Sequence, residues 1–565
     1  MKLRVIAGVA FAIAAAAVLC LFGSGVWDGD EENTAGIKTF KSYSQIENVL
    51  KDIQEEEPIV YAMGVAEDAD MAAENGSGAS VKETEHSDTY LQVDGVDEAD
   101  IIKTDGHYIY YTSRLGYDVI VAKASEGKTE EVAVLSEEET GVSADELYLA
   151  DGRLIIVGTE YNPSELPYDY MRPLNTSVCI YDVSKPEDPE LIQKYTQSGG
   201  RISSRISGGY LYLITRDYLG EAKDRIVPMA GCGDDFIKLQ PEQICSFPNP
   251  STRSYVVAGS ISIEQSAEKI KTQTRALLGA SEDIYCNGNA IYFMDYQFNY
   301  DENRSDEWTS IIRANIDKGD IAFAEKGSIR GRVLNQFSMD EKDGYLRVAA
   351  TANINGKDVN YLYVLGDQLK TVGKLRGFAA GEEIKAVRFM GETAYVITYE
   401  QTDPLFVIDL SNPAEPEMLG SVEITGFSSL LVPAGDGKLI GIGMSTSEGK
   451  FGEVEDGLKV ALFDISDPLK PKVLDSKEYK DRSSDVQYDH KALVVNNREG
   501  WYALPYYSWN DETGGVLQLQ VSGDKLDETA DFTGDTGIDR CLYIDDYLYG
   551  LGSDEDKIIS WKRTE

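Results

Sequence analysis

Histidine is nearly missing from this chain of 565 residues: there are three, His86, His107 and His490, and none stands in the H-E-x-x-H spacing that puts two imidazoles on one helical face. No P-loop, dinucleotide fingerprint or G-x-S-x-G elbow is present, so the common nucleotide-binding and hydrolase chemistries have no support in the sequence. Positive charge is scarce too. Lys and Arg number 53 against 97 Asp and Glu, a formal charge of −44. Phosphate backbones repel such a chain, which excludes nucleic acid as a partner. Long apolar runs are confined to residues 5–22, which carry no charge and follow the cations Lys2 and Arg4.

That run is longer than the apolar core of an ordinary cleavable signal and reaches the lower limit for a membrane-spanning helix. Residues 1–27 are therefore expected to be a signal anchor or transmembrane helix. With Lys2 and Arg4 held in the cytoplasm, the rest of the chain lies on the extracytoplasmic side, or is secreted if the signal is cleaved. Cys20 stands in that run with bulky Leu19 before it, which fits an anchor thiol better than a lipidation site.

Residues 28–88 hold 16 acidic against 4 basic residues. Within them Ser44-Gln45-Ile46-Glu47 reads as a capping box, and Ile46, Val49, Leu50 and Ile53 follow the i, i+3, i+4, i+7 pattern of one short amphipathic helix. Residues 62–88, rich in Ala, Glu, Gly, Ser and Asp, read as a solvated juxtamembrane tether.

A repeat then governs residues 89–565. Apolar alternation, a turn of Asp, Asn or Gly and renewed alternation recur, as in Asp105-Gly106-His107-Tyr108-Ile109-Tyr110, Asp151-Gly152-Arg153-Leu154-Ile155-Ile156 and Asp343-Gly344-Tyr345-Leu346-Arg347-Val348. Nine such hairpins occur, their turns 46, 57, 79, 56, 47, 46, 63 and 46 residues apart. The shortest spacings match a four-stranded propeller blade, and the longer ones mark insertions. A third strand closes in a sharp turn at Tyr181-Asp182-Val183-Ser184-Lys185-Pro186, Ile408-Asp409-Leu410-Ser411-Asn412-Pro413 and Phe463-Asp464-Ile465-Ser466-Asp467-Pro468. There Asp and Ser can bond the turn and Pro ends the ladder. The fold class is all-β: a β-propeller of four-stranded blades, eight or nine of them, preceded by the N-terminal helix and the short amphipathic one. The last unit has room for only three strands, and residues 89–93 are expected to supply its outer strand and latch the ring.

The third-strand motif resembles the LVIVD repeat of bacterial surface propellers. The run Leu91-Gln92-Val93-Asp94-Gly95-Val96-Asp97-Glu98-Ala99-Asp100 resembles the opening signature of the bacterial and archaeal secreted β-propeller domain family, which is distantly similar to WD-type propellers. The resemblance covers roughly residues 36–565 and implies a membrane-anchored or secreted propeller. It carries no catalytic residues over to this chain.

Three groups of residues are candidate sites. Asp94, Asp97 and Asp100 offer oxygen ligands at close spacing, a calcium candidate if the chain bends at Gly95; otherwise they belong to ring closure. Cys232 and Cys245 bracket an irregular stretch and are expected to form a disulfide in an oxidising compartment, while Cys179, Cys286 and Cys541 read as core residues. Tyr506, Tyr507 and Trp509 are candidates for a ligand rim, or else pack between blades. Asp301-Glu302-Asn303-Arg304-Ser305-Asp306-Glu307 begins like a calcium loop but lacks Gly at the sixth position and Glu at the twelfth, and reads as a solvated loop. The leading functional expectation is a binding or scaffold module for a protein or cell-wall polysaccharide, without catalysis or a cofactor. The alternatives are a hydrolase or glycan-active enzyme using channel carboxylates, and calcium-dependent adhesion.

Overall fold

The computed structural model describes residues 36–53 and 85–563, apart from 114–116, 161–173, 220–225, 249, 251, 265–269, 282, 302–303, 400–402, 450–451, 511 and 554–555. The expected anchor at 1–27 and most of the tether at 62–88 lie outside the described residues. No helix among the described residues is long and apolar enough to cross a membrane.

Each hairpin turn of the repeat joins the two inner strands of a blade, and its backbone shows why Asp and Gly recur there. Asp151 and Gly152 both have positive φ (51° and 69°), as do Asp343 and Gly344 (52° and 81°) and Asp436 and Gly437 (47° and 70°). This is the turn whose twist matches two antiparallel strands. At the first turn the Asp105 carboxylate accepts from the backbone N–H of His107 (2.9 Å) and Tyr108 (2.7 Å). The third-strand motif works as its residues suggest: the carboxylates of Asp182, Asp409 and Asp464 accept from the N–H of Ser184, Ser411 and Ser466 at 2.8, 2.9 and 3.0 Å.

Eight blades of at least four strands follow in chain order, at 102–135, 142–198, 200–278, 283–330, 339–378, 383–424, 427–480 and 494–534. A ninth, three-stranded sheet at 538–562 completes the ring. Consecutive strands pair antiparallel from the centre outward. The outer strands of blades 1, 4, 5, 6, 7 and 8 each carry a bulge, which twists an exposed edge away from pairing with other chains. Of the calcium-like run at 301–307, Asp301 ends one strand of blade 4 and pairs with Arg304 at the start of the next, while 302–303 lie outside the described residues.

Apolar clusters stand between neighbours all the way round. Tyr110 and Val121 of blade 1 meet Leu154 and Ile156 of blade 2. Leu211 and Tyr255 of blade 3 pack on Ile155 and Val178 of blade 2. At the seam, Trp501 and Val516 of blade 8 meet Cys541 and Leu548 of the ninth sheet, whose Leu542 and Tyr549 pack on Ile109 and Tyr111 of blade 1. Closure is thus by side-chain packing, which buries about 25 cal/mol of free energy per Å² of apolar surface.

The short helix, α1 (Tyr43–Asp52), docks on the rim of this body. Ile46 and Leu50 are buried against blades 2 and 3, and Lys38–Thr39 just before it pairs with the Ile244–Ser246 strand of blade 3. Its cap is Ser42, two residues before the expected box; the Ser42 side chain accepts from Gln45 N–H, and the Gln45 side chain accepts from Lys41 N–H at 2.8 Å. The Tyr43 hydroxyl donates to Leu239 O (3.1 Å), which ties the first turn to the inserted hairpin beyond blade 2.

Candidate functional site: the filled centre of the ring

In a propeller the first strand of each blade lines the axis. Five of these inner strands carry a bulge near the same height, at Asp145, Ile202, Lys385, Ser429 and Asp539. A bulge re-aims side chains. Charged residues follow within a few positions: Glu146, Arg205, Arg388 and Arg540, all buried.

The partner of these charges is the leading segment, residues 85–101. It does not add an outer strand to the ninth sheet, as the sequence suggests for 89–93. Instead Glu85 to Ser87 lie along that sheet's innermost strand: Ser87 N–H donates to Tyr543 O (3.0 Å), Asp545 N–H donates to Glu85 O (2.6 Å), and His86 bridges Ile544. The chain then crosses the axis. Tyr90 is buried against the rings of His490 (6.3 Å between centroids) and Phe337, and Gln92 donates to Gln336 O at 3.0 Å before blade 5. Val96–Asp97 pairs with Ile206 and Ser207 of blade 3, and Asp100 exchanges backbone bonds with Leu147 of blade 2 (3.1 and 2.9 Å). The physical reason is burial: Tyr90 and Val96 leave water only in the centre, where Glu98 and Asp100 also meet cations.

Arg540 organises the crossing. Its Nε donates to Asp100 Oδ1 (3.0 Å), one terminal nitrogen to Asp485 Oδ2 (3.1 Å) and the other to Asp489. Glu98 lies 3.6 Å from Arg205 and 3.9 Å from His490 Nε2. Burial pushes the Asp100 carboxyl above its usual range, with Arg540 opposing the shift. Burial likewise holds His490 well below its ordinary value, and the surrounding cations Lys491, Arg388, Arg205 and Arg540 act in the same direction, so this imidazole is neutral. Asp145, at the blade 2 bulge, is pushed up to about 6 by burial and by Glu146, against the pull of Arg201.

The segment leaves two cavities on the face that carries the inner hairpin turns. One, of about 810 Å³, is lined by His86, Tyr90, Asp97, Lys103, Lys491 and Arg498 among others; the second, of about 490 Å³, by Tyr285, Asn287, Phe337, Asp340, Arg388 and Phe389 among others. Asp94 lies on the wall of both.

The residues singled out in the sequence fall into place as follows. Asp94, Asp97 and Asp100 do not converge on an ion: Lys103 takes Asp97 (3.3 Å), Arg540 takes Asp100, and no group of three metal-ligating side chains occurs among the described residues. The bend at Gly95 (φ 76°) turns the chain toward blade 3. No disulfide joins Cys232 to Cys245. Cys232 ends a strand of blade 2's inserted hairpin beside Gln193, while Cys245 is buried in blade 3 beside Ala276 O, so the short stretch between them crosses from one blade to the next. Cys179, Cys286 and Cys541 are core residues, as expected. Tyr506 is buried, its hydroxyl donating to Asp531 (2.7 Å) under the Arg482 guanidinium, whereas Tyr507 and Trp509 are exposed. Arg205, Arg388 and Arg540 were not singled out; the signal for them is a charge inside an apolar inner strand, as in Ile538-Asp539-Arg540-Cys541-Leu542.

These features define a β-propeller whose axis is filled by its own leading segment. The chain belongs to the beta propeller domain family, whose model matches residues 86–563. It is similar to an uncharacterised protein of Methanocaldococcus jannaschii, 29% identical over 84% of this chain and 81% of that one. An uncharacterised protein of Archaeoglobus fulgidus is 26% identical over 94% of both. Among solved structures, dipeptidyl peptidase 4 of Porphyromonas gingivalis aligns with 76% of this chain and 58% of its own at 11% identity and a TM-score of 0.35, a likeness too loose to bear on activity.

Proposed function

We propose that this propeller is a non-enzymatic binding or scaffold module, held at the outer side of a membrane by residues 1–27 and presenting its faces to a protein or cell-wall ligand. The observation that carries the reading is the filled axis. The chain spends its central carboxylates Glu98, Asp100 and Asp489 on its own arginines and leaves its open surface on the two faces and the rim. Charges engaged in this way hold a scaffold in one shape, and a rigid repeat body offers a preformed surface to a partner.

A second reading has one observation in its favour. Asp100, raised by burial, borders the larger cavity together with Tyr90 and Tyr543, the setting a glycan-active enzyme would use for a general acid. One experiment separates the two. The full chain, solubilised from membranes, is used as bait on cell envelopes and in parallel incubated with cell-wall glycan. The binding reading predicts retained partners and unchanged glycan; release of reducing ends that is lost in Asp100→Asn would overturn it. The topology has its own check: external protease added to intact cells is expected to cut the propeller, and full protection contradicts an outward orientation.

A further inference from the structure

The face opposite the inner hairpin turns is built from the turns between second and third strands and from the links between blades. It carries a concentration of exposed apolar side chains that the filled axis does not use. Four of them stand around blade 8 and its link from blade 7: Val454 (54% exposed), Tyr488 (51%), Trp509 (43%) and Tyr507 (41%), the last beside Gly537 on the side of blade 8 that faces the ninth sheet. Backbone bonds join their segments side by side. Trp509 N–H donates to Asp481 O (3.2 Å), Asp481 N–H donates to Asp456 O (3.0 Å), and Ser483 pairs with Tyr507. Soluble proteins rarely leave aromatic side chains grouped in water without a use for them.

Carboxylates outnumber cations around the rings. Glu455 and Asp485 lie near Tyr488, and Asp456 and Asp481 border the same strip. The cations of the sector are already engaged: Arg482 with Asp531 (2.7 Å) and the Tyr506 ring (4.2 Å to the centroid), Lys480 with Asp456 (3.5 Å). Aromatic faces edged by carboxylates attract ammonium and guanidinium groups. The residues run along hairpin tips and a link between blades, which suits an extended chain better than a compact small molecule.

We infer that the sector formed by Val454, Glu455, Tyr488, Tyr507 and Trp509 docks an extended, Lys- and Arg-rich segment of a partner polypeptide. This rests on the binding-module reading above and names the partner's chemistry. Cationic side chains lie over the rings of Tyr488, Tyr507 and Trp509 and reach Glu455, while the stems of the long side chains cover Val454.

The test is fluorescence anisotropy with the full chain and a labelled peptide alternating arginine and glycine, beside a labelled neutral N-acetylglucosamine oligomer. A protein with a formal charge of −44 binds polycations diffusely, so the variants must leave that charge alone. Tyr488→Ser with Trp509→Ser removes two rings; Val372→Ser with Leu469→Ser removes two exposed apolar residues elsewhere. The expected result is peptide affinity lowered about tenfold by the first pair, the loss of two cation–π contacts, and unchanged by the second. Matching melting curves for both pairs keep folding out of the comparison. Equal affinity across all forms, no peptide binding, or loss of oligosaccharide binding in its place overturns the inference. If the first pair still retains the envelope partners of the unaltered chain, the docking surface is wrong and the binding-module reading stands; if the unaltered chain retains none, that reading fails by itself.

Discussion

Replacing Arg540 by leucine tests the centre of the ring with one side chain. The guanidinium serves Asp100, Asp485 and Asp489 together, and of these Asp100 and Asp489 are buried. Leucine roughly fills the volume and leaves two buried carboxylates facing each other with Lys491, 3.9 Å from Asp489, as their nearest remaining cation. Breaking a buried ion pair from one side costs about 3–5 kcal/mol, because the orphaned charge keeps its desolvation penalty. If the cost is met by opening of residues 85–101 alone, the open state becomes roughly a hundred- to several-thousandfold more populated. Cys541 reports that opening. It is buried next to Arg540, lines the larger cavity, and has its thiol pushed well up by burial. Treatment of folded protein with a thiol reagent, followed by mass mapping, should show Cys541 labelled much faster in Arg540→Leu, with Cys179 and Cys286 in the blade interiors unchanged. The defect should ease on acidification, as Asp100, whose carboxyl is raised by burial, takes up a proton and stops repelling its neighbour. Cys541 labelling equal to that of the unaltered protein, with a melting temperature lowered by less than a degree, would refute the assignment of Arg540 as the clasp.

Two further outcomes follow from other parts of the molecule. The folded pKa of Asp145 is raised to about 6, so its contribution to stability is full below its unfolded value of about 3.9 and is lost as pH rises through 6. Because the residue is partly exposed, screening reduces the effect. Asp145→Asn should therefore raise stability by ~1 kcal/mol at pH 8 and leave it nearly unchanged at pH 4, as read from denaturant midpoints; a gain at pH 4 and none at pH 8 contradicts the cause assigned here. Leu50→Ala empties a buried site under α1 and should cost about 2–4 kcal/mol of local docking. Limited proteolysis within 36–53 should then quicken while the propeller melts as before, and simultaneous loss of the propeller would show that the helix is an integral part of the ring.

What the sequence reveals of this protein is what lies close together along it. Asp-Gly turns, alternation and the Asp-x-Ser-x-Pro ending act within a few residues, and all of them appear where the repeat puts them. The centre is different. Asp100 is 440 positions from Arg540 and Glu98 more than a hundred from Arg205, and only closure of the ring brings them within reach of one another. Seen along the chain, the carboxylates at 97, 98 and 100 look like ligands in want of a cation; the cations are the nearby Lys103 and Arg205 and Arg540 from distant strands. Cys232 and Cys245 mislead for the same reason, since the chain between them changes blade. Tyr506, a rim candidate in the sequence, packs with Leu504 toward blade 7, and of the strand Trp501–Ser508 only Tyr507 is exposed. The arginines at 205, 388 and 540 were legible only as breaks in apolar runs, a signal whose meaning depends on knowing which strand lines the axis.

The account stands on a ring whose axis is filled by residues 85–101, and amide hydrogen exchange on the folded protein measures that directly. The N–H groups of Ser87, Asp100 and Leu147 bond across from the segment to the inner strands at 3.0, 3.1 and 2.9 Å. They should exchange as slowly as the amides of blade 2's second strand, such as Leu154 and Ile155. Exchange at the rate of exposed loops, with blade 2 still protected, would mean that the segment lies outside the ring and that the axis is open.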